Sequence, residues 1–176
     1  MRKFVILLVL VVFAGSIAAQ KAPVNEPPID FSARDMSGKM VSIADLRGKV
    51  VVLNLWFINC PNCLEEIKLL NQLVKDYRNN KDVVFIAPAA SPQRDLESFL
   101  KKNPFDYQVL PDSIMMILMK FGTPDKNGEI NVPFPMHYVI GRDGKTLLKI
   151  QGQKGVAAVK DELAKQFSAT KTPKNP

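Results

Sequence analysis

Residues 49–63 read Lys-Val-Val-Val-Leu-Asn-Leu-Trp-Phe-Ile-Asn-Cys-Pro-Asn-Cys and end in the only two cysteines of the 176-residue chain, Cys60 and Cys63. The β-branched and aromatic residues up to Phe57 predict a buried strand. Beyond the cysteines, apolar residues recur at helical spacing over residues 64–77, which predicts an amphipathic helix. The cysteine pair therefore lies where a strand turns into a helix.

Cysteines at the start of a helix are well placed for redox chemistry. A thiol there lies near the positive end of the helix dipole and near unpaired backbone N–H groups, and both favour the thiolate. Cys63 follows Cys60 by one helical turn, so the pair can make and break a disulfide with little backbone movement. A purely structural bridge is the alternative, but a bridge that closes so short a loop removes little chain entropy.

The N-terminal residues predict export. Arg2 and Lys3 precede an apolar run over residues 4–13, and small residues follow up to Ala19, which together indicate a signal peptide over residues 1–19. An uncleaved membrane anchor is the alternative, although the apolar run is short for a bilayer span. Either arrangement predicts that the rest of the chain works in an exported, periplasmic compartment.

Composition divides the remainder of the chain. The Pro-containing residues 20–28 predict a linker, residues 29–167 a single domain, and the Lys- and Pro-rich residues 168–176 a disordered tail. The net charge is +7, but the basic residues are scattered and form no run with interleaved aromatic residues. This pattern indicates a solvated surface and argues against nucleic-acid binding.

The periodicity of the domain predicts an α/β fold with a mixed central sheet flanked by helices. A strand, the helix after the cysteines and a second strand follow in order, which implies a right-handed crossover and a parallel pair. The further predicted elements are a hairpin of residues 29–34 and 40–43, a strand at 83–87, a helix at 91–102, a strand at 107–110, a helix at 113–121 capped by Asp112, a hairpin of 136–140 and 146–150, and a helix at 156–167.

This arrangement carries a family likeness. Trp56 before the Cys-x-x-Cys helix, the crossover, and Phe134-Pro135 opening a strand that precedes a Gly-x-Asp-Gly turn at residues 141–144 together resemble the thioredoxin fold. With the N-terminal β-hairpin and an inserted helix–strand unit after residue 87, the chain resembles the TlpA/ResA-like exported thiol–disulfide oxidoreductases of the redoxin (AhpC-TSA) superfamily. The likeness covers residues 29–167.

The resemblance implies a role for three residues of the helix. Cys60 would be the exposed nucleophile, and the more buried Cys63 would resolve the mixed disulfide. Glu66 falls where these proteins carry an active-site glutamate, and its spacing from Cys63 returns it to the same helix face. There it would relay a proton to or from the buried thiol. The alternative for Glu66 is a carboxylate that simply complements the helix N-terminus.

The resemblance also implies a substrate-docking site. Pro135 matches the family's cis-proline, beside which the backbone pairs with an extended substrate segment. An ordinary trans loop proline and plain core packing are the alternatives for Pro135 and Trp56. The implied substrate-binding set is Trp56, Pro61, Asn62, Phe134, Pro135 and Met136.

The chain departs from the expected pattern at several positions, of which two concern the strand and the helix beside the cysteines. Asn54 stands where thioredoxin itself has a buried aspartate, as is usual in the exported relatives. Lys68 replaces a proline expected two residues after Glu66, so a kink in the helix is not predicted.

The resemblance implies no cofactor besides the redox-active Cys60–Cys63 disulfide, protein thiols or disulfides as substrates, a membrane-bound thiol reductase that recycles the pair, and a monomer. Reduction of substrates is the favoured direction.

Two alternative functions remain open. A peroxiredoxin-type peroxidase normally has a threonine where Phe57 lies. A copper-binding metallochaperone of the same fold would use both thiolates with His137 and Met136, although such proteins space their cysteines more widely.

Overall fold

The computed structural model describes residues 28–168, so the predicted signal peptide, all but the last residue of the linker and nearly all of the tail lie outside the described residues. No helix within this range combines the length and the apolar character needed to cross a membrane. In chain order the elements are β1 Ser32–Arg34, β2 Met40–Ser42, a 3-10 turn Ala44–Leu46, β3 Val50–Leu55, α1 Pro61–Tyr77, β4 Val83–Pro88, α2 Gln93–Lys102, β5 Gln108–Leu110, α3 Ile114–Phe121, β6 Thr123–Pro124, β7 Ile130–Asn131, β8 Met136–Ile140, β9 Thr146–Gln151 and α4 Gly155–Ser168.

A five-stranded mixed sheet in the order β5-β4-β3-β8-β9 forms the centre of the fold. β3, β4 and β5 are parallel, and β8 and β9 are antiparallel to their neighbours. All six residues of β3 are buried, since this strand lies in the middle of a sheet that is covered on both faces. The predicted mixed sheet is confirmed, as is the N-terminal hairpin of β1 and β2.

Each face of the sheet has its own hydrophobic core. One face, which we call the α1 face, buries Val50 and Val52 of β3 and the following Trp56 against α1, α2 and α4. The other, which we call the α3 face, buries Val51 and Leu53 together with residues of α3 and of the N-terminal hairpin. Alternation of side chains along β3 therefore assigns each residue to one core.

Most predicted element ends differ from the observed ones by one to three residues, and two differences change an interpretation. The residue before α3 is Ser113, whereas Asp112 has a positive φ of 53° and its carboxylate accepts from the backbone N–H of Gln93 at 3.4 Å, at the start of α2. The prediction that Asp112 caps α3 is therefore wrong, because the tight turn directs its carboxylate to the preceding helix. α4 ends at Ser168, so this first residue of the predicted tail is helical.

The long connection between α3 and β8 contains a two-stranded hairpin of β6 and β7. Val132, which follows this hairpin, is buried in the α3-face core. The next residues lead to Phe134, which packs against both cores, and to Pro135, which precedes β8.

Candidate active site

The cysteine pair forms a disulfide at the N-terminus of α1. Cys60 is the N-cap residue, with extended backbone, and its Sγ accepts a hydrogen bond from the backbone N–H of Cys63 at 3.2 Å. Pro61 occupies the first helical position, where a missing N–H costs nothing. The two sulfurs are bonded across one turn of helix, as the spacing of Cys60 and Cys63 predicts.

The disulfide is less accessible than expected. Cys60 is 5% exposed and Cys63 is 2% exposed, so the expectation of an exposed Cys60 is wrong for this oxidised form, although Cys60 is the more accessible of the two. The cause is packing: the rings of Phe57 and Phe134, with centroids 5.2 Å apart, are both half-buried against the core that contains the cysteines. Pro61 remains exposed beside the disulfide.

The start of β8 lies next to the end of β3, from which the chain leads to the disulfide. Met136 pairs with Leu55, and the peptide bond between Phe134 and Pro135 is cis. Phe134 and the exposed Asn62 lie on the accessible rim, whereas Pro135 is buried. The docking role that the resemblance implies for Phe134, Pro61 and Asn62 stays a prediction.

Two members of the predicted substrate-binding set are placed differently. Trp56 is fully buried and packs its ring against Phe105 at 5.2 Å and Phe99 at 5.9 Å, so it has no surface that a substrate can contact. The side chain of Met136 is buried in the α3-face core, on the opposite side of the sheet from the disulfide. Core packing decides both positions.

Behind the disulfide, the α1 face carries a buried polar cluster. Glu66 and Cys63 both lie on the buried side of α1. Glu66 Oε2 is 3.0 Å from His137 Nε2, an ion-pair distance without the alignment of a hydrogen bond. On the other side of the imidazole, His137 Nδ1 is 3.3 Å from Asn54 Nδ2. The side chains of Asn54, His137 and Glu66 thus form a chain that ends one helical turn from Cys63, and we call these three residues the buried relay.

Tyr107 borders this cluster. Burial of its hydroxyl, with a further contribution from the charge of Glu66, raises the pKa of Tyr107 above its usual range. The phenol is therefore neutral at physiological pH, and it adds a polar but uncharged group near Glu66.

Sequence reasoning identified Glu66 but not its partner. The sequence suggests His137 only as a copper ligand, whereas its two ring nitrogens face Glu66 and Asn54. The register of β3 and β8, which pairs Asn54 with His137, brings the two side chains together. Within residues 28–168, no group of three or more His, Cys, Asp or Glu side chains is arranged to hold a metal ion.

Comparison with known proteins agrees with this geometry. Residues 24–147 match the AhpC/TSA family. The thiol-disulfide oxidoreductase ResA of Bacillus thuringiensis is 24% identical over 146 residues, which cover 83% of this chain and 80% of that protein.

Two solved structures share the fold. The crystal structure of a thiol:disulfide interchange protein of the thioredoxin family from Chlorobium tepidum is similar with a TM-score of 0.65 and 24% identity, over 84% of this chain and 98% of that one. A secreted disulfide oxidoreductase of Mycobacterium tuberculosis is 26% identical with a TM-score of 0.59, over 79% of this chain and 95% of its own. The chain therefore belongs to the AhpC/TSA family, and its fold and cysteine pair place it among the thioredoxin-like thiol–disulfide oxidoreductases of that family.

Proposed function

We propose that this oxidoreductase is exported and reduces protein disulfides through Cys60 and Cys63, with cytochrome c maturation or periplasmic redox homeostasis as its setting. The observation that carries the proposal is the disulfide at the N-terminus of α1, bordered by the rim of Phe134, Pro61 and Asn62. Export is supported by the sequence of residues 1–19 and by the secreted relative from Mycobacterium tuberculosis.

The reaction consists of two thiol–disulfide exchanges. In the reduced protein, the Cys60 thiolate attacks one sulfur of the substrate disulfide, and the other substrate sulfur leaves as a thiolate. The Cys63 thiol then loses its proton, and its sulfur attacks Cys60 Sγ. This step forms the Cys60–Cys63 bond, breaks the bond to the substrate and releases the second substrate thiolate.

Each part of the site supports one part of this reaction. The position of Cys60 at the helix N-cap favours its thiolate, through the helix dipole and the neighbouring backbone N–H groups. The backbone beside Pro135 would pair with an extended substrate segment, and Phe134 would contact its side chains. Glu66 lies on the buried side of α1 with Cys63 and would accept its proton in the second exchange. A membrane-bound thiol reductase would return electrons to the oxidised pair.

Trapping of reaction intermediates tests the proposal. A Cys63→Ser variant lacks the resolving thiol, so it should accumulate mixed disulfides through Cys60 when it is expressed in its exported form. The adducts are separated on non-reducing gels and identified by mass spectrometry. The matched Cys60→Ser variant should accumulate far fewer of them, because Cys63 is the more buried thiol.

The reduced protein should also reduce insulin, which serves as a model disulfide substrate. The proposal is overturned if Cys63→Ser traps no protein and the wild-type chain reduces no disulfide. Net oxidation of reduced model peptides by the disulfide form, at a rate well above the reverse reaction, would instead contradict the reducing direction.

A further inference from the structure

His137 has surroundings that core packing alone does not explain. It is the only histidine of the chain and it is fully buried in the middle of the sheet. Both of its ring nitrogens approach polar atoms, Glu66 Oε2 at 3.0 Å and Asn54 Nδ2 at 3.3 Å. On the α1 face, Glu66 connects His137 to the cysteine pair, because Glu66 and Cys63 share the buried side of α1.

Glu66, which faces His137, carries a buried carboxyl group. Both carboxyl oxygens of Glu66 are buried without a hydrogen bond, and its ion-pair contact among the described residues is with His137. Burial of an isolated carboxylate favours its protonated form, because the charge loses its hydration. His137 Nε2 at 3.0 Å is the polar group that faces this carboxyl, and a positive charge on the ring would offset the lost hydration.

The side-chain amide of Asn54 can hydrogen-bond to His137 Nδ1 in either protonation state of the ring. With its amide nitrogen toward the ring, Asn54 donates to Nδ1 of a neutral imidazole whose proton is on Nε2, facing Glu66. With its amide oxygen toward the ring, the same side chain accepts from Nδ1–H of an imidazolium. Asn54 therefore supports both protonation states of His137.

Gly155 holds the imidazole in place from the other side. A Cβ atom at Gly155 would lie 2.0 Å from His137 Cδ2 and 2.6 Å from His137 Nε2, closer than any real contact. The first residue of α4 thus packs directly on the ring, and only glycine leaves room for it. The ring is confined between α4, Asn54 and Glu66.

We propose that His137 is a positioning residue for disulfide exchange, which acts through Glu66 by stabilising the charge of that carboxylate and holding it on the side of α1 that carries Cys63. The inference rests on the proposed function. In the resolving step the proton leaves Cys63 Sγ for the Glu66 carboxylate, while the imidazolium of His137 balances the new negative charge on the sulfur. When the disulfide is reduced again, the same proton returns to Cys63.

The groups that face His137 from each neighbouring element are few. α1 contributes Glu66 and, through it, Cys63; β3 contributes the uncharged Asn54; and α4 contributes Gly155. From β9, the cross-strand partner is the apolar Ile150. Tyr107 completes the set as a neutral phenol near Glu66. The charge of Glu66 is therefore the one that a change at His137 should alter.

A double-mutant cycle tests the proposal. The rate at which Cys63 resolves a mixed disulfide between Cys60 and a model peptide is measured by stopped-flow over pH for the wild-type chain, His137→Gln, Glu66→Gln and the double variant. We expect His137→Gln to slow the step about tenfold at neutral pH and to raise the midpoint of its pH profile by about one unit. In the Glu66→Gln background the same substitution should have no further effect, because His137 acts through Glu66.

Two controls separate this role from a structural one. Thr146→Val replaces another buried polar side chain on the neighbouring strand β9 and should leave the pH profile unchanged. The wild-type chain itself provides the second readout, since ¹⁵N-histidine NMR of the tag-free protein reports on a single imidazole. Its signals should change when the disulfide is reduced, and their pH dependence should differ in Glu66→Gln.

The outcomes distinguish the two proposals. If the wild-type chain exchanges disulfides but His137→Gln keeps the wild-type pH profile, the role of His137 is overturned and the proposed function stands. The role is also overturned if the imidazole signals are identical in the wild-type chain and Glu66→Gln and do not respond to reduction. If the wild-type chain performs no exchange, the proposed function itself fails.

Discussion

The two faces of the central sheet differ in what they bury. On the α3 face, the side chains of β3 are Val51, Leu53 and Leu55, and they pack against an apolar layer. On the α1 face, the same strand places Asn54 near His137 and Glu66, behind the disulfide. One strand therefore supplies both an apolar core and part of a polar cluster, because its side chains alternate between the faces.

This difference separates stability from chemistry. Apolar burial on the α3 face stabilises the fold without contact to the cysteines. The α1 face also contributes apolar contacts, but polar side chains are buried there as well. Buried polar side chains stabilise a fold less than apolar ones of the same size. We expect substitutions on the α3 face to change the free energy of unfolding and those in the buried relay to change the reaction.

The largest expected effect on stability is from Leu53→Ala on the α3 face. Leu53 is fully buried, so its truncation should lower the free energy of unfolding by about 2–5 kcal/mol. The measurement is urea denaturation, with the exchange rate of the folded variant measured beside it. Leu69→Ala, at an exposed site on α1, is the matched control and should lower the free energy of unfolding only slightly. A tenfold loss of exchange rate in folded Leu53→Ala would show that the faces are not separable.

Gly155→Ala should have a smaller effect on stability but a clear effect on the reaction. The added Cβ overlaps the ring of His137, and such overpacking costs about 1–3 kcal/mol. The displaced imidazole should slow exchange in the same direction as His137→Gln. In a His137→Ala background the ring is absent, so the stability loss from Gly155→Ala should disappear in thermal or urea denaturation. An equal loss in both backgrounds would contradict the packing of Gly155 on His137.

A third prediction concerns the N-terminal hairpin, which covers the α3 face. Hydrogen bonds from Ser37, Lys39 and Gln108 lower the pKa of Asp35 to about 2. Because this pKa is lower in the folded state than in the unfolded state, the ionised carboxylate stabilises the fold at pH values above about 4. The contribution is lost as the pH falls from about 4 to about 2.

Asp35→Ala should therefore lower the free energy of unfolding by about 1 kcal/mol at neutral pH and by no measurable amount near pH 2. Urea denaturation at both pH values provides the measurement, and Asp45→Ala, in the neighbouring 3-10 turn, is the control. A stability loss that is the same at both pH values would assign the effect of Asp35 to something other than its charge. The exchange rate should not change, because Asp35 lies outside the buried relay.

The smallest effect is expected on the outer surface of α3. Met119 is 78% exposed, so Met119→Gln should change the free energy of unfolding by less than about 0.5 kcal/mol. Met136→Gln, at a buried site of the α3-face core, is the matched comparison and should be clearly destabilising. A large loss from Met119→Gln in denaturation experiments would mean that the surface of α3 contributes to the apolar core.

Much of the fold follows from local patterns. The run at residues 49–57 and the helical spacing after Cys63 predict a strand and a helix, and the structure confirms both as β3 and α1. The glycine-containing turn at residues 141–144 likewise predicted the hairpin of β8 and β9. The prediction for Asp112 is wrong because a turn redirects its side chain, and the depth at which Trp56 and Met136 lie could not be derived from the sequence. Periodicity identifies a buried face, but it does not measure how deeply a residue lies.

The sequence by itself determined the Cys60–Cys63 pair, its place at the start of a helix and the presence of Glu66 on the face of Cys63, because all three depend on separations of a few residues. Only the tertiary structure decided that His137 and Asn54 belong with them. Asn54 and His137 are 83 residues apart in the chain, and they meet through the register of β3 and β8. Helical and strand periods act over short distances, whereas the pairing of distant strands depends on the packing of the whole sheet. The disulfide is thus visible in the sequence, and the polar cluster behind it is a product of the fold.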